Sequence, residues 1–324
     1  MKPIHLAIIG ATGMVGQTTL AVLHEWNVPL TELKLYASAA SEGKTMPMGH
    51  VNLPVHSLTD DIRADFAILA LSADLSKDWA CRLIDRGMKV IDHSSAFRME
   101  ADVPLVIPEI NADTITSETQ LVANPNCSAS VILMALAPLD QTIGLKRVII
   151  ATYQSVSGAG IAACDELKDQ TAGILSDPQV FPHRIAGNLF PEIGSLDATQ
   201  YTGEETKISQ EIRKILRHPG LHVSATAVRV PVEIGHSAAV SVELNRATSI
   251  SEIQAALQNF PGLICDGQDY STPMQISDTQ DVHVGRVRID PQDKNWLHFW
   301  VVGDNTRKGA ASNAIQVLQY WASL

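Results

Sequence analysis

Short apolar runs alternate with stretches of helical composition along the first part of the chain. The apolar runs predict buried strands at His5–Ile9, Leu33–Tyr36, Phe66–Leu71, Lys89–Ile91 and Leu105–Ile107. Between them, Gln17–Trp26 and Ser76–Asp85 have the length and composition of helices. This order is typical of a mostly parallel sheet with helices on both faces.

The pattern changes after Cys127, where a helix is predicted over Ser128–Ala137. Later apolar runs predict strands at Arg147–Thr152, His222–Pro231, Ala238–Leu244 and Trp296–Val302. The second and third of these follow each other without a helix between them, which favours a mixed or antiparallel sheet. A last helix over Ala310–Ala322 is expected to pack back on the first domain.

These patterns predict an α/β fold with two domains, because 324 residues exceed the size at which one core usually keeps growing. The first is a Rossmann-like dinucleotide-binding domain of residues 1–127 and 306–324. The second is an α+β domain of residues 128–305 built on a mixed sheet.

Composition narrows the classes of function. Hydrophobic residues make up 45% of the chain and charged residues 18%, as in ordinary globular proteins. A formal charge of −11 without a Lys- or Arg-rich block disfavours nucleic acid as a partner. No segment approaches the roughly 18 apolar residues of a membrane span, and the first apolar run is too short for a signal peptide. The four scattered cysteines argue against disulfides or a zinc site, so we expect a cytoplasmic protein.

The first predicted strand ends in a glycine-rich turn, Gly10-Ala11-Thr12-Gly13-Met14-Val15-Gly16. Glycines at this spacing allow a tight turn, close approach of a pyrophosphate to the backbone, and close packing of helix on strand. The N–H groups that open the next helix bind phosphate well. The turn therefore predicts dinucleotide binding, although glycine turns also serve as plain packing solutions.

The end of the second predicted strand carries no acidic residue of the kind that often binds the ribose hydroxyls of NAD. The stretch that follows contains Ser38, Ser41 and Lys44. These side chains could meet the 2′-phosphate of NADP; the alternative is a solvated polar loop.

Cys127 has polar neighbours in Asn124-Pro125-Asn126-Cys127-Ser128, between a proline-constrained turn and an apolar helix. The helix dipole favours a thiolate at such a position. A catalytic nucleophile and a buried small hydrophobe are both compatible with this context. Cys81, Cys164 and Cys265 lack it and are interpreted as structural.

A thiolate that attacks a carbonyl needs a proton carrier, and His236 differs from the other histidines in its context. It follows Arg229-Val230-Pro231-Val232-Glu233-Ile234-Gly235, a strand that leaves the core through a proline and ends at a glycine. Arg229 and His236 could face one cleft, or His236 could be an ordinary packed residue. Gln154 precedes a loop of small residues after a strand, which indicates either a site loop or a well-formed turn.

Eight motifs, in order and register, resemble the aspartate-semialdehyde dehydrogenase family over nearly the whole chain. They are GATGMVG, SSAFRM, VIPEIN, NPNCS, YQSVSGAG, EETK, RVPVEIGHS and DNTRKGAASNA. No single motif decides the match, but the combination of NPNCS and RVPVEIGHS is specific.

The resemblance implies a cytoplasmic homodimer, or a dimer of dimers, in the pathway from aspartate toward lysine, threonine and methionine. Its second domain would be the catalytic and dimerisation domain. The implied small-molecule partners are L-aspartyl-4-phosphate, aspartate semialdehyde and phosphate, with NADP as cofactor and NAD as the alternative. The acyl phosphate would be reduced through a thioester on the cysteine.

The resemblance also implies roles for single residues. Cys127 would be the nucleophile, Gln154 would orient the thioacyl intermediate, and His236 would be the acid/base. Arg229 would bind the substrate carboxylate and Arg98 the phosphate, and the acid and lysine of EETK would complete these sites. That pair is Glu204 and Lys207, with Glu205 as the alternative acid. The implied cofactor-binding residues are Gly10, Thr12, Gly13, Met14, Val15, Gly16, Ser38, Ser41, Ser157, Gly158 and Asn305.

Three positions depart from the family pattern. Family members often carry an arginine for the 2′-phosphate between the two serines of the loop after the second strand. Here that place reads Ala39-Ala40, so the preference for NADP stays open. His93 stands where an asparagine is expected before SSAFR, and Gly187 replaces a bulkier residue in RIAGN. We expect these changes to tune affinity.

Two other functions fit parts of this pattern. N-acetyl-γ-glutamyl-phosphate reductases perform the same chemistry on a longer substrate, but their cysteine normally lies in a Gly-Cys-Tyr context. A catalytically silent paralogue, kept as a binding or assembly module, would be expected to lose Cys127 or His236, and both are present.

Overall fold

The computed structural model describes residues 2–324, which form two compact units. Of the described residues, 2–126 and Ala310–Leu324 form the first unit, and Cys127–Gly309 forms the second. Relative to the predicted division, Cys127 and residues 306–309 fall in the second unit. Within the described range, every helix is too short or too polar to cross a membrane.

The first unit is built around one seven-stranded sheet. Its strands are β1 Ile4–Ile9, β2 Leu30–Ala37, β3 Thr45–Met48, β4 Val51–Ser57, β5 Phe66–Leu69, β6 Lys89–Asp92 and β7 Leu121–Ala123. Its helices are α1 Met14–Glu25, α2 Ala73–Ile84, α3 Pro108–Asn111 and α9 Ser312–Trp321. The strand order is β3-β4-β2-β1-β5-β6-β7, and all neighbours pair in parallel except β3 and β4. The predicted Rossmann-like parallel sheet is confirmed.

Strand β1 is central because nearly all of its side chains are apolar and buried on both faces of the sheet. One face packs around Leu6, Ile8 and Ile68, and the other around Ala7, Ile9 and Leu69. The C-terminal helix α9 joins the first of these cores through the four predicted apolar residues, Ala314, Ile315, Leu318 and Trp321, and through Val317.

One predicted strand of this unit is wrong. Leu105–Ile107 forms only an isolated bridge, between Leu105 and Ala123, before α3 begins at Pro108. Prolines on both sides leave too few backbone donors for a longer ladder. The edge of the sheet is instead formed by β7, whose three residues are too few to show the alternating pattern of a strand. The antiparallel hairpin of β3 and β4 was also not predicted.

The second unit has a six-stranded mixed sheet in the order β11-β12-β13-β10-β8-β9. Its strands are β8 Leu145–Gln154, β9 His222–Arg229, β10 His236–Leu244, β11 Leu263–Cys265, β12 Val282–Ile289 and β13 Trp296–Gly303. Its helices are α4 Cys127–Thr142, α5 Ile161–Thr171, α6 Gly203–Ile215, α7 Ile250–Gln258 and α8 Pro273–Ile276. Strand β10 is antiparallel to both β8 and β13, whereas β8 and β9 are parallel. The predicted mixed sheet is confirmed.

The two faces of this sheet differ in burial. Helix α4, apolar around its whole circumference, packs on β8, β10 and β13 and contacts α6 and α7. The opposite face carries Ile149 and Tyr153 with 49% and 36% of their surface exposed, beside the half-buried Trp300. The rings of Tyr153 and Trp300 lie 5.6 Å apart. We call this surface, defined by Ile149, Tyr153 and Trp300, the open sheet face.

Candidate active site

Three predicted site residues occupy aligned positions on three adjacent strands of the second unit. His236 opens β10 and pairs with Gln154 at the end of β8, which in turn pairs with Arg229 at the end of β9. Directly opposed residues of paired strands share one face of a sheet. All three side chains are buried, with exposures of 1%, 1% and 5%. The strand register thus brings an imidazole, an amide and a guanidinium into one row.

Cys127 is the first residue of α4, a helix of 16 residues that packs on the same sheet. Its side chain is partly exposed, and its sulfur interacts electrostatically with Arg229. The backbone of Gly309 runs against it, since a Cβ added to Gly309 would lie 3.0 Å from the Cys127 Cβ. The start of a long helix beside a guanidinium is an environment that favours a thiolate.

The imidazole of His236 has different surroundings at its two nitrogens. Nδ1 accepts the N–H of Ser155 at 3.1 Å and also lies 3.1 Å from the Ser155 Oγ. Nε2 is buried and forms no hydrogen bond with any residue in the described range. Burial lowers the pKa of His236 to about 3; the charge of Arg229 acts in the same sense, and the backbone of Gly235 opposes it. The ring is therefore neutral at neutral pH.

The amide of Gln154 is held at both ends. Its Nε2 donates to Glu204 Oε1 at 3.1 Å, and its Oε1 accepts from the Thr152 hydroxyl at 3.0 Å. Glu204 is buried in the first turn of α6, and its other oxygen lies 3.8 Å from Lys207 Nζ. Gln154, Glu204 and Lys207 thus form one connected polar group.

The adjacent carboxylate, Glu205, stabilises the fold locally. It accepts the N–H of Thr202 at 2.7 Å, which completes a capping box at the start of α6. Its other oxygen accepts the N–H of Ala227 at 3.0 Å. Both oxygens of Glu205 bind backbone donors, whereas Glu204 contacts Gln154, so Glu204 and not Glu205 belongs to the polar group of Gln154.

Arg229 is fixed by a backbone carbonyl and an aromatic ring. Its Nη1 donates to the Ser155 carbonyl, and the ring of Phe181 lies 5.8 Å from its guanidinium carbon. Burial lowers the pKa of Arg229, while Cys127 and Glu204 raise it. An arginine stays cationic even so. A buried guanidinium that remains cationic suits a carboxylate ligand.

Phe181 belongs to a long loop that sequence reasoning did not connect with the site. The buried carboxylate of Glu166, on α5, accepts the backbone N–H groups of Gln179 and Val180. These two hydrogen bonds fix the residues immediately before Phe181. In the same loop, Gly187 has a φ of +73°, which explains a glycine where a bulkier residue was expected.

Gly158 lies directly against two residues of the row. A Cβ at this position would come within 3.1 Å of His236 Nε2 and 3.2 Å of Arg229 Nη1. We expect Gly158→Ala to lower kcat/KM by about 10- to 100-fold, because small displacements of catalytic groups have large effects on rate. Steady-state kinetics with thermal unfolding as a second readout checks this.

Gly220→Ala is the matched control for Gly158→Ala. A Cβ on Gly220 would have no atom within 4 Å, so this variant should retain wild-type kinetics. Equal kinetics of the two variants and the wild type would show that the space beside Gly158 is not used.

The glycine turn of the first unit fits the pyrophosphate of a dinucleotide. Gly10 has a φ of +89°, and a Cβ there would lie 2.2 Å from the Ala70 carbonyl oxygen; one on Gly16 would lie 2.5 Å from the Gly10 oxygen. Gly13 is different, since its Cβ would approach no atom closer than 3.5 Å. Gly13 therefore leaves room at the start of α1, where no side chain caps the N–H groups.

The loop after β2 is a compact turn. Ser41 is buried and its N–H donates to the Ser38 carbonyl at 2.8 Å, whereas Ser38 and Lys44 are exposed. The strand ends at Ala37 without an acidic residue. Ser38 and Lys44 are therefore the groups of this turn that a 2′-phosphate could meet.

Arg98, also in the first unit, is anchored by two backbone carbonyls. Its Nε donates to Asn124 at 2.9 Å and its Nη2 to His93 at 2.7 Å. Burial lowers the pKa of His93 to about 3, and Arg98 acts in the same sense. His93 therefore stands beside Arg98 as a neutral ring.

The remaining predicted residues, Ser157 and Asn305, lie in the second unit beside His236. Asn305 Oδ1 accepts from the Gly235 N–H at 2.9 Å, and its Nδ2 donates to Ser157 Oγ at 3.0 Å. Ser155, which contacts His236, was not predicted, because nothing in a row of small residues distinguishes it. The predicted residues thus lie in two groups. The first unit holds the glycine turn, the loop after β2 and Arg98. The second unit holds Cys127 and the row of Arg229, Gln154 and His236.

Comparisons with known proteins agree with these two units. A family model described as "Semialdehyde dehydrogenase, NAD binding domain" matches residues 5–118. Another, "Semialdehyde dehydrogenase, dimerisation domain", matches residues 136–308. The fold and the cysteine-containing site therefore define an NAD(P)-dependent oxidoreductase of the semialdehyde dehydrogenase class.

Relatives over the full length narrow the class. The aspartate-semialdehyde dehydrogenase of Aquifex aeolicus is 42% identical over 97% of this chain and 96% of its own. The crystal structure of aspartate semialdehyde dehydrogenase II complexed with ASA, from Vibrio cholerae, has a TM-score of 0.96 at 37% identity over 100% and 99% of the two chains. The Candida albicans enzyme with NADP shares the fold at 22% identity, 98% coverage of both chains and a TM-score of 0.79. The chain belongs to the aspartate-semialdehyde dehydrogenase family.

Proposed function

We propose that the protein reduces L-aspartyl-4-phosphate to L-aspartate-4-semialdehyde through a thioester on Cys127, in the synthesis of lysine, threonine and methionine. The observation that carries the proposal is the aligned row of Arg229, Gln154 and His236, on the sheet face against which the helix of Cys127 packs. The names of the full-length relatives support the same substrate.

Substrate binding is assigned to charged groups that the structure holds in place. Arg229 binds the α-carboxylate through two parallel hydrogen bonds, which its fixed orientation favours. Glu204 binds the substrate from the side of Gln154, and Lys207 completes substrate and phosphate binding in the second unit. Arg98, in the first unit, is assigned to the phosphate by the family resemblance alone. Side chains that are already buried or anchored lose little conformational freedom when the substrate binds, which lowers the entropic cost of binding.

The chemistry divides into acyl transfer and reduction. The Cys127 thiolate attacks the acyl carbon, a C–S bond forms, the C–O bond breaks, and the expelled phosphate takes up a proton. Gln154 orients the resulting thioester, and His236 holds or moves a proton at the acyl oxygen. A bound nicotinamide cofactor supplies the hydride. The thiolate then leaves as the aldehyde carbonyl forms.

NADP is the proposed cofactor, with NAD as the alternative. The exposed Ser38 and Lys44 support it, as does the absence of an acidic residue at the end of β2. The missing arginine in Ala39-Ala40 argues for a modest preference only.

We also propose a cytoplasmic homodimer, or a dimer of such dimers, formed through the open sheet face. The exposed Ile149 and Tyr153 support an apolar contact there, and the dimerisation-domain model covers these strands. Thiolate chemistry at Cys127 suits a reducing compartment.

An oxidative assay with the purified protein tests the proposed function. Steady-state reduction of NADP, beyond a first turnover, should require both aspartate semialdehyde and inorganic phosphate, and kcat/KM should be higher for NADP than for NAD. N-acetylglutamate semialdehyde should give little turnover. A preference for that longer aldehyde, or turnover that ignores phosphate, would refute the proposal.

A further inference from the structure

The long loop between α5 and α6, residues 172–202, is bound to α5 by two buried side chains. Glu166 and Gln170 lie four positions apart, so both point from the same side of the helix, and they are 3% and 0% exposed. Gln170 Nε2 donates to Glu166 Oε1 at 2.9 Å. We call this pair of side chains the α5 anchor.

The α5 anchor accepts four backbone N–H groups of the loop. Glu166 Oε2 accepts those of residues 179–180, the first of them at 3.0 Å. Gln170 Oε1 accepts those of residues 185–186 at 2.9 and 3.1 Å. These bonds offset the cost of burying a carboxylate and an amide, so the course of the loop is well determined. Residues 181–184 are therefore held at both ends.

Further along the chain, the same loop pairs with the backbone of Arg229. The Arg229 N–H donates to the Phe190 carbonyl at 2.9 Å, and the Phe190 N–H donates to the Arg229 carbonyl at 3.1 Å. Strand β9, which carries Arg229, is the last strand of its sheet, so its outer edge is available for this bridge. The loop thus fixes the main chain of Arg229 from the side opposite β8.

Phe181 contacts the other end of this arginine. Its ring lies 5.7 Å from the ring of Phe190, and the guanidinium carbon of Arg229 lies over it, 5.8 Å from its centroid. An aromatic face attracts a cation electrostatically and takes no conventional hydrogen bond from it. One N–H of Arg229, at Nη1, donates to the Ser155 carbonyl. The ring therefore restricts the guanidinium without using the N–H donors that a carboxylate needs.

We propose that Phe181 is a positioning residue for substrate binding, held by the α5 anchor so that its ring keeps the guanidinium of Arg229 in the orientation that a carboxylate requires. This rests on the proposed function, in which Arg229 binds the α-carboxylate. A guanidinium that is already oriented loses less conformational freedom on binding, so affinity for the semialdehyde should depend on the ring. The chemical step and cofactor binding should be independent of it.

Replacing Phe181 by leucine tests this role, since leucine keeps an apolar side chain but removes the aromatic face. The KM for aspartate semialdehyde should rise about fivefold, while kcat, the KM for phosphate and the cofactor Kd stay within about twofold. Phe181→Tyr keeps the ring and should restore the wild-type KM. Tyr201→Leu is the matched control, because it removes an exposed ring of the same loop and should leave all four constants unchanged.

A double-mutant cycle separates the positioning of Arg229 from general support of the fold. In an Arg229→Met background the ring has no cation to orient, so Phe181→Leu should leave kcat/KM for the semialdehyde within about twofold. In the wild-type background the same change should lower kcat/KM about fivefold. A merely structural effect of the leucine would lower kcat/KM equally in both backgrounds.

These measurements distinguish the role of Phe181 from the proposed function. A semialdehyde KM for Phe181→Leu that equals that of Tyr201→Leu would overturn the positioning role and leave the proposed function intact, as would equal losses in both backgrounds. If the wild type shows no phosphate-dependent turnover of aspartate semialdehyde, the proposed function fails, and the role of Phe181 fails with it.

Discussion

Replacing Cys127 by serine is expected to lower kcat by at least about 10⁴-fold while cofactor binding stays intact. A serine hydroxyl at the start of α4 would keep the shape of the side chain but would remain protonated at neutral pH. The row on the facing sheet consists of an imidazole, an amide and a guanidinium and holds no second thiol. Steady-state kinetics measure the loss of kcat, and a cofactor titration on the same sample shows whether cofactor binding is intact.

Cys81→Ser provides the matched control. Cys81 is exposed on α2, so the same change of sulfur to oxygen should leave kinetics and stability unaltered. A Cys127→Ser variant with a kcat within tenfold of the wild type would exclude a covalent role for this sulfur.

Replacing Arg229 by methionine is the second change with a large expected effect. Loss of a fork of charge-assisted hydrogen bonds to the substrate carboxylate costs about 3 to 4 kcal/mol, or roughly 10²- to 10³-fold in kcat/KM. Most of the loss should appear in KM for the substrate, because the α-carboxylate is bound in the ground state and the transition state alike. Arg229→Lys keeps the positive charge but cannot form two parallel hydrogen bonds to a carboxylate. Its kcat/KM should therefore lie between those of the wild type and Arg229→Met.

Arg229 also has structural contacts, with the Ser155 carbonyl and the Phe181 ring, so a control must separate stability from binding. Arg213→Met serves, because Arg213 in α6 likewise donates to a backbone carbonyl, that of Leu221 at 2.8 Å. It should lower the unfolding temperature without raising KM. An equal rise in KM for both variants would show that Arg229 has no special part in binding.

Local features of the fold and site were predictable from the sequence. The turn at Pro125 followed by an apolar run predicted that Cys127 lies where a helix begins, and the structure starts α4 at that residue. Alternating apolar runs predicted the parallel sheet because a strand buried on both faces must be apolar throughout.

Contacts between residues distant in sequence were not predictable. Gln154 and His236 are 82 positions apart, and only the register of β8 against β10 places them side by side. The contact of Phe181 with Arg229 depends on the hydrogen bonds that Glu166 accepts from the backbone of a loop, and the sequence of this loop has no regular hydrophobic pattern. Likewise, only the position of Thr202 as N-cap shows that Glu205, and not Glu204, completes the capping box.

Mass spectrometry of the wild-type protein after acid quenching tests the covalent step most directly. The protein is mixed with aspartate semialdehyde and NADP in the absence of phosphate, so that the thioester forms by hydride loss but is not cleaved by phosphorolysis. We expect an aspartyl adduct on the peptide that contains Cys127, its loss on addition of phosphate, and its absence in Cys127→Ser. Reduction of one equivalent of NADP with no adduct on that peptide would contradict the thioester mechanism.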